Sequence, residues 1–241
     1  KTLLMMVMRN NTTDSPWPIS NNPFAKYNQR SRSDCNLDLP LWQLVRASTA
    51  APVFFPPEVV SIGSKTFIFV DGGVTMYNNP AFHAFLMATT APFGINWATG
   101  ADKLLVVSVG TGVNANAKDN LKPSDMHLLY NASSIPGALM NAAKSEQDWL
   151  CRVFGDAKVG LPLDRELGDM LGQHGPGAKL FTYLRLDADV THDGLAALGL
   201  GDIEPKHVQE LDSVEHVDDL QRVGQALAAR YLDKAHLTGF L

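Results

Sequence analysis

The stretch that decides the fold is Thr66-Phe67-Ile68-Phe69-Val70, which Asp71-Gly72-Gly73 follows directly. Five consecutive strand-forming residues without polar alternation are typical of a strand that is buried on both faces. The aspartate should therefore emerge at the rim of a sheet. The two glycines let the backbone turn sharply and let a neighbouring group come close. The pattern predicts a buried strand that ends at an accessible carboxylate.

Two further apolar runs, at residues 2–8 and 104–109, have the same character, and residues 179–186 also predict a strand. Apolar residues at helical spacing predict helices over 40–47, 80–94 and 213–232. A further helix is predicted from Ser124 onward, with an interruption near Pro136-Gly137, whereas residues 10–38 predict a long loop. Helices that alternate with apolar strands indicate an α/β fold with a mostly parallel sheet flanked by helices. Ligands of such sheets bind beyond the carboxyl ends of the strands.

Composition limits the classes of protein to consider. The chain has 241 residues, of which 45% are hydrophobic, so it can bury a sizeable core and we treat 1–241 as one domain. The net charge of −5 and the lack of a Lys/Arg cluster predict no nucleic-acid partner. Cys35 and Cys151 lie far apart and lack ligand spacing, which favours a reducing, cytoplasmic location over a disulfide scaffold or zinc site. No apolar run reaches the length of about 20 residues that a membrane-spanning helix needs.

Asp71 is the strongest candidate for chemistry, as a general base, a metal ligand or a nucleophile. The competing interpretation is that Asp71 only caps a turn, because Asp-Gly is a common turn pair. Gly110-Thr111-Gly112 follows another strand and could cradle an anion, but a tight exit from the strand explains it better. Asp187, Asp189 and Asp193 resemble a metal loop without its glycine and terminal glutamate, so we predict a solvated turn there.

Other chemical motifs are missing from the sequence. The seven histidines form no HxH or HExxH pair, and we predict surface or satisfied structural roles for each (His83, His127, His174, His192, His207, His216 and His236). A serine hydrolase on an α/β sheet usually shows Gly-x-Ser-x-Gly. Only Gly168 and Gly172 have that spacing, and Met170 stands between them. The residues therefore predict no metal site, no cofactor and no nucleophile elbow.

Three segments in order show a resemblance to a known family. They are R-A-S-T-A-A-P-V-F-F-P-P at 46–57, F-V-D-G-G-V-T-M-Y-N-N-P at 69–80 and L-L-V-V-S-V-G-T-G at 104–112. Together they resemble the second half of the patatin-like phospholipase family of lipid acyl hydrolases. The close match spans about residues 41–112, and its extension to the C-terminus rests on element order alone.

The resemblance implies a Ser–Asp dyad in which Asp71 accepts the serine proton, while Gly72 and Gly73 shape the backbone around it. It implies a lipid or small ester substrate, contact with a membrane or micelle surface, and no cofactor. The family's oxyanion loop and nucleophile elbow lie upstream of these segments, so residues 1–241 are expected to be the C-terminal portion of a single patatin-like domain. An upstream segment of the same protein would supply the serine. Without it the chain should not hydrolyse esters.

Two alternatives remain open at this point. The chain could be a non-catalytic lipid-binding or protein-interaction module on the same fold, because the elbow is absent. It could instead use Asp71 and the Gly110-Thr111-Gly112 loop in magnesium-dependent phosphoryl transfer, which would need a second acidic ligand beside Asp71.

Overall fold

The computed structural model describes residues 2–114 and 128–240 together with positions 122, 124 and 126, and only the backbone at 128–133. The chain divides into two compact units, one formed by residues 1–98 and 132–148 and the other by residues 99–131 and 149–241. Both contain strands and helices, so the fold is mixed α/β. The assignment of residues 1–241 to a single domain stays a prediction.

The first unit contains a four-stranded antiparallel sheet. Its strands are β1 (Met5–Asn10), β2 (Ser15–Ser20), β3 (Glu58–Ile62) and β4 (Lys65–Asp71), and they are ordered β2-β1-β4-β3. β4 contains the strand predicted at residues 66–70 and lies in the interior of the sheet between β1 and β3. The prediction of burial on both faces is wrong, because Thr66 and Ile68 are exposed. The prediction of a mostly parallel sheet is wrong for this unit, because every described strand pair in it is antiparallel.

Two hairpins make the sheet antiparallel. After β1, the Asn10 side-chain oxygen accepts hydrogen bonds from the backbone N–H groups of Thr12 and Thr13 at 2.9 and 3.1 Å, which closes a turn. Between β3 and β4, Gly63 has a φ of +60°, the left-handed conformation that a two-residue hairpin turn requires. β2 lies inside the segment 10–38 that the sequence predicts to be a loop, so that prediction is wrong for Ser15–Ser20. Its two prolines do not fit the apolar pattern of a strand.

The core of the first unit lies where helix α1 (Leu41–Ser48) packs on this sheet. Its buried members are apolar side chains from the sheet and the helix (Met8, Ile19, Leu44, Ala47, Val60, Ile62 and Phe69). Trp17 covers this cluster with its ring 5.2 Å from that of Phe69. A second helix, α2 (Ala81–Thr89), begins after Pro80, and the chain then passes through a 3-10 turn at 91–93 to Gly94.

The second unit contains a three-stranded parallel sheet, as the sequence predicts. Its strands are β5 (Leu105–Val109), β6 (Gly155–Val159) and β7 (Phe181–Leu186), ordered β5-β7-β6. All six residues of the central strand β7 are buried. β5 forms one edge, and Val109 is 73% exposed, so the prediction of a fully buried strand fails there. β6 has no counterpart in the predicted elements, because its five residues include Gly, Asp and Lys.

Four further α-helices lie in the described residues: α3 (Leu128–Phe154), α4 (His192–Ala197), α5 (Pro205–Gln209) and α6 (Val217–Tyr231). The predicted interruption of α3 near Pro136 is wrong, since the helix continues through the proline. The predicted start at Ser124 lies partly outside the described residues. α6 confirms the amphipathic pattern at 213–232, and Val223 joins α4 and α5 residues in one core cluster. None of the described helices combines the length and apolar character that crossing a lipid bilayer requires.

Adjacent residues of β4 provide a test of this packing. Phe69 is fully buried, whereas Ile68 on the opposite face is 43% exposed. We expect Phe69→Ala to lower the free energy of unfolding by about 3–5 kcal/mol because it leaves a cavity in the core. Ile68→Ala should cost less than about 1 kcal/mol. Urea denaturation of both variants measures the difference, and equal losses would contradict the assignment of the two faces.

Candidate active site around Asp71

Asp71 is the last residue of β4, as the sequence predicts. Its strand partner in β1 is Met8. On its other side, the Asp71 backbone N–H donates to the carbonyl oxygen of Ala50 at 3.0 Å. The backbone of Asp71 is therefore held both by a neighbouring strand and by the segment that follows α1.

The Asp71 carboxylate is half-buried, and its two oxygens have different surroundings. Oδ1 accepts a hydrogen bond of 2.6 Å from the backbone N–H of Gly73. Among the described residues, no donor bonds to Oδ2 and no Lys, Arg or His forms an ion pair with Asp71. Asp71 therefore caps the turn, as the competing interpretation held, and still presents one oxygen to an incoming group.

The two glycines after Asp71 are needed for different reasons. Gly72 is buried, and a Cβ atom there would lie 2.3 Å from the carbonyl oxygen of Val7 in β1. A Cβ atom on Gly73 would lie 3.1 Å from Asp71 Oδ1. Glycine at 72 thus lets the turn pack directly on the backbone of β1, and glycine at 73 leaves space for the carboxylate.

The R-A-S-T-A-A-P segment supports this turn from the other side. Ser48 Oγ donates to the Val7 carbonyl oxygen at 2.6 Å, the same carbonyl that Gly72 approaches. Arg46 Nη2 donates to the carbonyl oxygen of Pro56 at 2.8 Å and so ties the end of the segment to α1. Residues 46–57 therefore form part of the scaffold that supports the Asp71 turn.

The N-N-P segment completes the turn. Asn78 Nδ2 donates to the Gly73 carbonyl oxygen at 3.0 Å, and Thr75 Oγ1 donates to that of Gly72 at 2.7 Å. Asn79 is buried, and its Oδ1 accepts from the N–H of Ala81 at 3.3 Å at the start of α2. The side chains that follow Asp71 thus fix the backbone of both glycines.

His83 lies close to this segment and differs from its prediction. Its ring contacts that of Tyr77 in a tilted arrangement, with centroids 4.5 Å apart, and meets Phe93 edge-on at 5.9 Å. Its Nε2 is buried without a hydrogen-bond partner among the described residues, so His83 is neither a surface nor a satisfied histidine. Burial lowers the pKa of His83 and raises that of Tyr77, which keeps both side chains neutral near pH 7.

The Gly110-Thr111-Gly112 loop serves the protein's own structure. The Gly112 N–H donates to Asp187 Oδ1 at 2.8 Å, and Asp187 Oδ2 accepts a hydrogen bond of 2.6 Å from Arg185. Arg185 also donates to Ser108 Oγ at 2.7 Å. The loop therefore binds a carboxylate of this chain, which agrees with its interpretation as a strand exit.

The aspartates at 187–193 do not form the predicted solvated turn. Asp187 and Arg185 are each only 6% exposed, and they form a buried ion pair. Asp189 Oδ1 accepts from the N–H of Thr191 at 2.9 Å, while Asp193 lies in the first turn of α4. The sequence could not show that β7 buries Arg185 beside Asp187. His127 lies outside the described residues.

The close approach of Gly72 to Val7 gives a direct test. Gly72→Ala should lower the free energy of unfolding by about 1–3 kcal/mol, because the methyl group meets backbone that cannot move aside. Gly224→Ala is a matched control, since Gly224 lies in α6 with no atom within 4 Å of a built Cβ. The control should be neutral or stabilising by about 1 kcal/mol. Urea titration compares the two, and a neutral Gly72→Ala would refute the contact.

The buried His83 gives a pH dependence. Its lowered pKa means that the unfolded chain binds the proton more readily, so stability should fall as the pH drops below the ordinary histidine value of about 6.5. His83→Phe should reduce this fall, whereas the exposed His174→Gln should not. Urea midpoints above and below about pH 6.5 measure the effect. An unchanged slope in His83→Phe would show that His83 does not cause it.

Comparison with known proteins connects this geometry to a family. The family model "Patatin-like phospholipase" matches residues 9–85. Among curated proteins of Arabidopsis thaliana, "Probable inactive patatin-like protein 9" is 29% identical over 128 residues, which are 52% of this chain and 33% of that protein. "Patatin-like protein 1" is 34% identical over 119 residues, 43% of this chain and 28% of that protein. "Patatin-like protein 6" is 37% identical over 83 residues, 34% of this chain and 16% of that protein.

Each match covers only part of this chain and a smaller part of the relative. The aligned part of this chain spans about a third or less of the length of each relative. The matched segment contains the Asp71 turn and the R-A-S-T-A-A-P segment that supports it. Over residues 9–85, this chain is similar to the patatin-like phospholipase family.

Proposed function

We propose that this chain contributes the catalytic carboxylate of a patatin-like lipid acyl hydrolase, in which Asp71 is the general base of a Ser–Asp dyad. The observation that carries the proposal is the unequal use of the two Asp71 oxygens. Oδ1 is held by Gly73, and no described residue donates to Oδ2. A carboxylate fixed through one oxygen is oriented to accept a proton through the other.

The proposed reaction uses this free oxygen twice. Oδ2 accepts the proton as the serine hydroxyl attacks the ester carbonyl, and the proton then passes to the leaving alcohol while an acyl-enzyme forms. In the second half, Asp71 accepts a proton from water, whose oxygen attacks the acyl carbonyl. The proton returns to the serine oxygen as the fatty acid leaves.

The serine and the oxyanion donors must come from elsewhere in this proposal. Within these 241 residues, the only glycine pair with elbow spacing has Met170 at its centre. We place the nucleophile and the oxyanion loop in sequence that precedes Lys1 in the same protein. The substrate would be a lipid or small ester taken from a membrane or micelle surface.

The cysteines bear on the compartment in which this reaction would occur. Cys35 and Cys151 are both buried cysteines, which fits our proposal of a cytoplasmic location.

A second candidate function is a non-catalytic module that keeps the fold. The observation that favours it is the relative named "Probable inactive patatin-like protein 9". The encoding sequence upstream of Lys1 distinguishes the two candidates. An in-frame Gly-x-Ser-x-Gly supports the hydrolase, and its absence supports the module.

The hydrolase proposal predicts a specific effect of Asp71→Asn in the chain expressed with its upstream sequence. Asparagine keeps an oxygen that can accept from the Gly73 N–H, so the turn should persist, but it cannot take up the serine proton. We expect hydrolysis of p-nitrophenyl esters and phospholipids to fall by about 10²–10⁴-fold. Thermal melting should show a folded protein.

Asp169→Asn is the matched control. Asp169 Oδ1 also accepts from the N–H two residues later, that of Leu171, at 3.0 Å, but it lies in the second unit. This variant should keep the full rate. Full activity in Asp71→Asn would overturn the role of Asp71, and equal loss in both variants would indicate a structural effect of turn capping instead.

A further inference from the structure

A cluster of two histidines and one aspartate lies in the second unit, apart from the proposed hydrolase machinery. His207 belongs to α5, His216 ends the short 3-10 helix before α6, and Asp219 lies in the first turn of α6. His216 and Asp219 are three residues apart and lie on the same side of the helix start. The turn between α5 and α6 brings His207 against them.

A nitrogen of each histidine lies near the same carboxylate oxygen of Asp219. His207 Nδ1 lies 3.3 Å from Asp219 Oδ2, and His216 Nδ1 lies 3.7 Å from the same oxygen. The imidazole rings stack with centroids 3.5 Å apart and planes 6° apart. One ligand atom from each residue lies within 4.8 Å of the others. Among the described residues, no other group of three such side chains comes this close.

These separations suit a tetrahedral metal ion. Bonds of about 2.0–2.1 Å in tetrahedral geometry place two ligand atoms about 3.3 Å apart. The His207–Asp219 pair already has this separation, and His216 Nδ1 lies slightly farther from the same oxygen. A metal ion lies in the plane of each imidazole that binds it, so one of the two stacked rings must turn when the ion enters. Two imidazoles and one carboxylate are a donor set for Zn²⁺ and similar transition metals, whereas Ca²⁺ and Mg²⁺ prefer oxygen ligands.

A second layer of charges orients the carboxylate. Arg222 Nη1 lies 3.3 Å from Asp219 Oδ1, whereas the histidines pair with Oδ2. Arg222 also binds both oxygens of Asp202, at 2.7 and 3.0 Å. Since Asp202 balances the charge of Arg222, the cluster with neutral imidazoles keeps one net negative charge. Hydrogen-bonded outer groups of this kind fix the ligand atoms of metal sites.

The cluster is accessible to an ion from solvent, and a bound ion would link two helices. All three side chains are partly exposed, between 22% and 36%. An ion bound to all three would join α5 to the start of α6, and Val208 and Val223 of these helices share one core cluster. With three protein ligands, at least one coordination position stays open to water.

We propose that His207, His216 and Asp219 form a binding site for a divalent transition metal ion, represented by Zn²⁺, that links α5 to α6. The site is independent of the hydrolase proposal, because it uses neither Asp71 nor the turn around it.

The test is isothermal titration of the tag-free chain with ZnCl₂, together with the visible absorption of bound Co²⁺. We expect one ion per chain, tetrahedral Co²⁺ bands and a melting temperature that rises with Zn²⁺. The double variant His207→Gln/His216→Gln should lose these signals. Asp219→Asn, which keeps both imidazoles but removes the anionic ligand, should also weaken binding. Binding should also weaken on acidification, because protons compete for the imidazoles.

The matched control removes two histidines outside the cluster, in the double variant His174→Gln/His192→Gln. Both are exposed, so this variant should bind Zn²⁺ like the parent chain. Circular dichroism checks that each variant is folded. The proposal is overturned if the parent chain binds no Zn²⁺, or if the cluster and control variants bind it equally.

Discussion

The structure around Asp71 depends on the close approach of Gly72 to the carbonyl group of Val7. A side chain at 72 would meet that oxygen at 2.3 Å, so only glycine lets the turn pack directly on β1. Ser48 donates to the same carbonyl, and the Asp71 N–H donates to Ala50, which brings three separate segments together at the end of β4. This contact also positions the Asp71 carboxylate, because Oδ1 accepts a hydrogen bond from the N–H of Gly73, the residue that follows Gly72.

The sequence predicted the strand and the turn at Asp71 well because their signals are local. An apolar run that ends in Asp-Gly-Gly specifies a strand and a sharp turn without reference to distant residues, and β4 and the Asp71 cap agree with it. The strand direction depends on pairing between distant segments. The prediction of a mostly parallel sheet is wrong where turns at Asn10 and Gly63 form hairpins. The spacing of apolar residues does not indicate such turns.

Other features depend on neighbours that are remote in the sequence. Asp187 looked like part of a solvated turn, but β7 buries it against Arg185 and the Gly112 N–H. His207 and His216 match no ligand motif because the turn between two helices brings them together. Buried ion pairs and clusters of this kind arise from tertiary packing, so residue spacing alone cannot reveal them.

We propose that Asp71 presents one oxygen, Oδ2, to a serine hydroxyl. The most direct measurement is a crystal structure of the chain together with its upstream sequence, in which the distance from the nearest serine Oγ to Asp71 Oδ2 is read. We expect a hydrogen bond of about 2.6–3.2 Å, with Oδ1 still bound to the Gly73 N–H. A structure in which Oδ2 is bound to an Arg or Lys, with no serine within reach, would contradict it.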